Sequence, residues 1–332
     1  MIFSENDIRP HDLDAGKLEA LDKDLNWLRE REHLFVQVNC PACCGNHKQL
    51  AFAKYGFSFV RCVDCGTAYM NPRANADLLA EFYGRSVLYA YWNAYIFPAS
   101  KEARRQHIFA PRAKAIADKC RIHNVNPGLL VDVGAATGLF CEEVVKLDLF
   151  RRVVAVEPGT ALAESCVNAG IETVNLPIES IEDFGEQASV VTSFETIEHL
   201  CNPEQMLRRC GTFLRKGGLL VLSCPSYAGF DIQTLGILSD SLDAEHINLF
   251  TPSSLNLLVR RCGFSVLECT TPGKLDAELV RNKALANEIS LKDQPFLQTV
   301  LLDRWQDLGQ SFQNFLVDSQ LSSHMWMVAQ KP

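Results

Sequence analysis

The chain has 332 residues, a formal net charge of −8 and 47% hydrophobic side chains, enough for one large domain plus a small accessory one. The negative balance disfavours a nonspecific grip on a nucleic-acid backbone, which needs clustered Lys and Arg. No run of eighteen uncharged apolar residues offers a membrane span, and the polar, acidic start MIFSENDIRPHDLD lacks the regions of a secretion signal, so a cytoplasmic location is expected.

Thirteen cysteines in a long chain without a signal are expected to be reduced thiols. Four fall into a metal pattern. Most of the others, Cys166, Cys210 and Cys262 among them, lie in helix- or strand-like runs as small core residues.

Leu18, Leu21, Leu25 and Leu28 recur every three or four residues, which predicts an amphipathic helix over 15–33 packed on the body; residues 1–33 form an N-terminal helical arm. Residues 34–72 change character, with strand-like LFVQV and FSFVRC punctuated by Cys, Gly and Pro. Here Cys40-Pro-Ala-Cys43 is followed, after eighteen residues, by Cys62-Val-Asp-Cys65. Two such knuckles fit a four-thiolate tetrahedral zinc site, and Gly45 and Gly66 permit the turns. Cys44 competes with Cys43 as ligand, and the commoner C-x-x-C spacing favours Cys43. Four protein ligands leave no open position, so the zinc of this ribbon, 34–72, is structural. Lys48, Lys54 and Arg61 against Asp64 and the thiolate centre leave the ribbon near neutral, which weakens a nucleic-acid role.

Residues 73–120 read as helical, 73–110 being a linker with an aromatic stretch from Tyr83 to Phe97. From 129 onward strands and helices alternate: LLVDV, GLFCEEVVKL, VVAVE, ALAESCVNAG, ETVNL, SVVTSFE, PEQMLRRCGTFL, LLVLSCPS, SSLNLLVRRCG and FSVLECT. Such alternation means βαβ units and a parallel sheet with helices on both faces. Residues 274–320 are helical, and SHMWMVAQKP closes as a strand. The stripe Leu297, Val300, Leu301, Trp305, Leu308, Phe312 and Phe315 is read as core or as a homodimer surface, with a substrate lid as the alternative.

The run Val131-Asp132-Val133-Gly134-Ala135-Ala136-Thr137-Gly138 ends a strand, makes a small-residue turn and opens a helix. Such a turn lets the backbone approach a ligand. The next strand ends at Glu157, nineteen residues after Gly138, where an acid accepts hydrogen bonds from ribose hydroxyls. The acid Asp132 two residues before the first glycine, and a Gly-x-x-x-Gly spacing that departs from the dinucleotide pattern, point to S-adenosylmethionine (SAM) rather than NAD.

VDVGAATG, VAVEPG, VVTSFETIEHL, LRKGGLLVLSCPS and EHINLFTPSSL, in this order, make residues 110–273 plus the last strand resemble the class I SAM-dependent methyltransferases of the small-molecule branch. That branch includes ubiquinone-type O-methyltransferases and sugar methyltransferases. Ala136 stands where the family commonly has a third glycine, and the loop is expected to keep its shape. The resemblance implies an α/β fold: a doubly wound Rossmann-like seven-stranded sheet, last strand antiparallel. The methyltransferase domain is then 111–332, with a helical insertion at 274–320 and the zinc ribbon ahead of it.

The resemblance also implies roles. Gly134, Ala135 and Gly138 would line the methionine part of SAM, and Asp132 would orient the loop or reach the amine. Glu157 would hold the ribose beside Pro158, Ile178 and Glu179 would flank the adenine, and Phe194 would face the cofactor from below. The ribbon followed by AYMNPR resembles the module that helps cover the substrate cleft in sugar C-methyltransferases.

Carbon or oxygen nucleophiles usually need a base. His246, in DAEHINLF, is the better candidate, with an acid such as Glu245 to set its tautomer. His199, in FETIEHL, is the second, and for both a loop-shaping role stands as the alternative. Glu195 and Glu198 are candidates for cofactor or loop contacts, and no obvious carboxylate cluster marks a divalent ion. The expected function is methyl transfer from SAM to a small-molecule acceptor, a (nucleotide-)sugar or related biosynthetic intermediate. The alternatives are a zinc-ribbon RNA methyltransferase and a non-enzymatic SAM-binding scaffold.

Overall fold

A computed structural model describes residues 3–332. Eleven strands form two sheets among them. The strands are β1 (Lys48–Lys54), β2 (Phe57–Cys62), β3 (Ala68–Met70), β4 (Leu129–Val133), β5 (Arg152–Val156) and β6 (Glu172–Val174). They continue with β7 (Ala188–Phe194), β8 (Leu214–Pro225), β9 (Asn248–Leu249), β10 (Ser265–Thr270) and β11 (His324–Gln330).

The large sheet has the order β10-β11-β8-β7-β4-β5-β6, with β11 antiparallel to both its neighbours. Strands β4 and β7 are buried along their whole length, and their mostly apolar runs, with Asp132, Ser189, Thr192 and Ser193 buried among them, suit a sheet covered on both faces. The chain winds outward from β4 through β5 to β6, then returns to β7 on the other side. The crevice at their carboxyl ends is the switch point where such sheets bind ligands.

The small sheet has the order β1-β2-β3-β9 and is antiparallel. Tyr55 and Gly56 join β1 to β2 with φ of 57° and 91°. Left-handed geometry at both turn residues matches the twist of a two-residue hairpin. The fourth strand is not local: Asn248 and Leu249 pair with Tyr69 and Ala68. The loop after β8 is thereby built into the cysteine-bearing module.

A helical run from 87 to 122 links the two sheets. It widens into π-turns at Trp92–Ile96 and Arg105–Phe109, immediately ahead of Pro98 and Pro111. Proline has no N–H to give and clashes with the carbonyl four residues back, and the wider turn accommodates both.

The N-terminal helix is Asp14–Arg29, shorter than predicted, and its buried face is rotated. Leu25 and Leu28 are buried, but Leu18 is 59% exposed, and Trp27 and Asp24 turn inward instead. The reason is a cap. Asp24 accepts from Ser86 Oγ at 2.6 Å and from the amides of Val87 and Leu88 at 2.9 Å, satisfying the free N–H groups that start the run at 87. LFVQV forms no strand, only one bridge between Val36 and Arg73, while Lys48–Lys54, which no sequence pattern marks, is a strand.

In the insertion, Val300, Leu301 and Leu316 join Leu235 and Val280 in a core. Leu297, Trp305, Leu308 and Phe312 pack half-buried against it, and Phe315 faces solvent. Asp276 ties the insertion to the last strand, accepting from Gln313 Nε2 at 2.7 Å, Ser322 Oγ at 2.8 Å and the Ser323 amide.

Candidate functional site

The loop after β4 is held open by three left-handed residues, Gly134 (φ 76°), Ala136 (φ 48°) and Gly138 (φ 78°). A Cβ on Gly134 would come within 2.4 Å of Thr196 Oγ1. Ala136 keeps the turn despite its Cβ, in a conformation that glycine adopts without steric cost. Glu157 staples the loop from β5: its Oε2 accepts from the Ala136 amide at 2.9 Å and its Oε1 from the Gly159 amide at 2.8 Å. Burial pushes its carboxyl up, and the two amides oppose that shift. Each oxygen keeps a lone pair for a hydroxyl donor. A narrow cradle bordered by such an acid fits SAM, which supplies an electrophilic methyl group on a sulfonium.

Asp132 is 3% exposed and turns into the sheet, where Thr192 Oγ1 donates at 2.6 Å and Cys141 Sγ at 3.7 Å. Burial lifts its carboxyl to about 6 against those hydrogen bonds. Ala135, within the loop, is buried. Pro158 is exposed, and its carbonyl and that of Glu157 accept from Asn175 Nδ2, a contact the sequence did not reveal. Ile178 is buried in the core, while Glu179 borders a surface groove with Cys44, Asn202 and Arg208. Phe194 stacks on Trp326 at 5.3 Å, meets Phe140 edge-on at 4.9 Å and lies under the Arg112 guanidinium. Arg112, unmarked in the sequence, also reaches Glu195 Oε1 at 3.3 Å, and Ser223 Oγ donates to the same oxygen at 2.5 Å.

Above this crevice His199 and His246 come together, with ring centroids 4.7 Å apart. His246 Nδ1 lies 2.8 Å from the Ser241 carbonyl and His199 Nδ1 3.1 Å from the Glu245 carbonyl. A carbonyl only accepts, so each Nδ1 carries the proton and each Nε2 the lone pair. The Ser241 carbonyl, with Asp243 behind it at 3.6 Å, sets the tautomer of His246, in place of the Glu245 side chain expected. Tyr83, from the linker, places its hydroxyl 3.1 Å from His199 Nδ1. Burial and then the neighbouring His246 hold His199 down to about 3, so it is neutral.

Glu198 completes the group. It is 1% exposed, and neither carboxylate oxygen has a hydrogen-bond partner among the described residues. Donor atoms of Glu198, His199 and His246 all lie within 4.8 Å of one another. The sequence showed no such cluster because its members come from two loops joined only by tertiary structure. Asn248 does the joining. Its Nδ2 donates to the Leu200 carbonyl at 2.7 Å and to those of Ile197 and Glu198 at 3.3 Å, while its Oδ1 accepts from Arg73.

Cys40, Cys43, Cys62 and Cys65 form a second cluster, with Sγ atoms 3.4 Å apart for Cys40 and Cys65 and 3.5 Å for Cys43 and Cys62. Bonds of about 2.3 Å to one tetrahedral ion would separate the sulfurs by about 3.8 Å. The donor set therefore fits zinc with a small adjustment. Cys44 lies outside, its Sγ 3.2 Å from Arg261 Nη2.

Residues 101–269 match the model of a family described as "Methyltransferase domain". The chain belongs to this family of SAM-dependent methyltransferases, and SAM is its co-substrate. A ubiquinone biosynthesis O-methyltransferase of Bradyrhizobium sp. is 25% identical over 195 residues, covering 57% of this chain and 69% of that protein. One of Rhodopseudomonas palustris is 24% identical over 185 residues, covering 53% and 64%. The chain thus spans about two thirds of the length of these curated relatives. The crystal structure of a SAM-dependent methyltransferase from Clostridium acetobutylicum matches 72% of this chain and 98% of its own, at 11% identity and a TM-score of 0.48. Among the described residues no helix is long and apolar enough to cross a membrane.

Proposed function

We propose that the protein transfers the methyl group of SAM to a small-molecule acceptor, a nucleotide-activated sugar or a related biosynthetic intermediate. The observation that carries this reading is the roof over the cofactor crevice. His199, His246, Tyr83 and Tyr89 converge there from separate elements, and Tyr83 meets both Tyr89 and His199 edge-on. An aromatic, imidazole-bearing roof suits a small polar ring better than a nucleic-acid backbone, and the net charge of −8 agrees.

In this reading Gly134, Ala135 and Gly138 cradle the methionine part of SAM, and Asp132 braces that loop from within the sheet. Glu157 holds the ribose beside Pro158. Ile178 and Glu179 border the adenine, and Phe194 forms the floor. His246 is the base that removes the acceptor's proton as its nucleophilic atom attacks the methyl carbon, with His199 the second candidate for that role. Roof and floor hold the two reactants in line and exclude water.

Cys40, Cys43, Cys62 and Cys65 hold a structural zinc ion in the ribbon 34–72, between the arm 1–33 and the linker 73–110. The methyltransferase domain is 111–332, with its insertion at 274–320. Phe296 and Phe315, 67% and 54% exposed, support a homodimer formed through the C-terminal helices.

The test is transfer of labelled methyl from SAM into fractionated host extract, with Asp132→Ala as the blank. Label in the small-molecule or carbohydrate fraction is the expected result. Nuclease-sensitive label in RNA would replace this reading by an RNA methyltransferase, and SAM binding without transfer would leave a scaffold.

A further inference from the structure

Glu198 presents a physical problem. A carboxylate 1% exposed, with no hydrogen-bond donor on either oxygen among the described residues, is costly to keep charged. The two histidines beside it turn their Nδ1 protons elsewhere. The Nδ1 atoms of His199 and His246 are engaged with the carbonyls of Glu245 and Ser241, so their lone pairs lie on Nε2. One ligand atom from each of the three residues lies within 4.8 Å of those of the other two, and the imidazoles would offer an ion the nitrogens that their Nδ1 contacts leave free.

This is the arrangement of a ligand set. Metal-binding histidines commonly donate their second ring N–H to a carbonyl or carboxylate, which fixes the ring and leaves the other nitrogen for the ion. Both histidines here are oriented in that way. Two imidazoles and one carboxylate suit a first-row transition ion rather than magnesium or calcium, which prefer oxygen alone. Three protein ligands also leave coordination positions open, in contrast to the closed four-cysteine cluster.

We propose that Glu198, His199 and His246 bind one divalent transition-metal ion at the acceptor side of the cofactor crevice. The site itself stands on this geometry. Its use rests on the methyl-transfer reading and changes the agent of deprotonation: the imidazoles hold the ion, and the ion acidifies an acceptor hydroxyl bound at an open position. The hydroxyl's proton leaves to solvent and the oxygen forms a bond to the methyl carbon. The carbon–sulfur bond breaks with its electron pair staying on sulfur, which becomes a neutral thioether.

The probe is Mn2+, followed by the loss of its free-ion electron paramagnetic resonance signal as it binds the purified full-length protein. Manganese binds such sites most weakly of the series and does not compete for thiolates, so the four-cysteine cluster stays out of the titration. SAM affinity of each protein is measured alongside as the check on folding. One equivalent of Mn2+ is expected to bind the wild type, and Glu198→Gln and His246→Gln, each still binding SAM, are expected to weaken it at least tenfold. Wild-type protein that binds SAM but shows no saturable Mn2+ binding would overturn the site, with Glu198 then holding a proton. So would Glu198→Gln binding Mn2+ as wild type does. Mn2+ bound at this site without methyl transfer to any acceptor would sink the transferase reading and leave the ion site standing.

Discussion

Arg73 Nη1 donates to Asn248 Oδ1 at 2.7 Å, although 175 positions separate the two residues and both are buried. Through this contact the segment after the cysteine module grips the loop that carries His246, and Asn248 passes the grip on to the carbonyls around His199. Asn248→Ala would leave a buried guanidinium short of an acceptor and three loop carbonyls short of a donor. The expected cost is about 2–4 kcal/mol, seen as a melting temperature several degrees lower. Turnover should fall at least tenfold while SAM affinity stays near wild type. An unchanged melting temperature and turnover would show that the loops hold their places without it.

Glu157 uses both carboxylate oxygens on backbone amides, one in the glycine loop and one at Gly159. Glu157→Gln keeps the size but turns an amide donor toward one of them. SAM affinity should drop roughly 10- to 100-fold, corresponding to about 1–3 kcal/mol for a mismatched buried hydrogen bond. Calorimetric titration with SAM measures this directly, and wild-type affinity in the variant would remove Glu157 from the cofactor site.

The four-cysteine cluster and its neighbour make a controlled pair. Cys62→Ser should release one equivalent of zinc on elemental analysis and lower both thermal stability and turnover, because β9 is part of the same sheet. Cys44→Ser, with its sulfur outside the cluster, should keep the metal and the stability. Zinc retained by Cys62→Ser, or lost from Cys44→Ser, would contradict the ligand set.

Asp231 is 1% exposed, its side-chain Oδ1 has no partner among the described residues, and its Oδ2 receives Ser239 Oγ at 3.3 Å. Burial, and then the charge of Asp276, push its carboxyl up to about 7. The folded state therefore binds this proton more tightly than the unfolded chain. Stability present at low pH is lost as pH rises from about 4 through about 7. Asp231→Asn should be the more stable protein at pH 8, by on the order of 1–4 kcal/mol, and the gap should close toward pH 4. Urea unfolding at both pH values tests this, and a gap that does not change with pH would be the wrong outcome.

The cofactor cradle and the cysteine knuckles were legible in the sequence because each is local. Gly134 to Gly138 lie within one turn, Glu157 ends the adjacent strand, and each cysteine pair spans four residues. The alternation after residue 129 likewise translated into the sheet, because central strands are short, mostly apolar runs set between helical ones. What failed was set by distant partners. LFVQV looked like a strand but found only the bridge to Arg73. Lys48–Lys54 looked unremarkable because as an edge strand it stays largely exposed. Leu18 faces solvent because the helix was turned to let Asp24 cap another one. The meeting of Glu198, His199 and His246 depends on β3 pairing with a two-residue strand almost 180 positions later, and no periodicity announces that.

The shared strand also governs how the molecule can be recombined. A chimera that exchanged only residues 34–72 with a relative would strip Asn248 and Leu249 of their main-chain partners and present the incoming sheet with a foreign edge. The heritable unit is discontinuous: the cysteine-bearing hairpin and the stretch from Ser241 to Leu249 must be transplanted together. On the methyl-transfer reading proposed above, acceptor preference would travel with that composite graft, and the cofactor-proximal half would remain as the chassis.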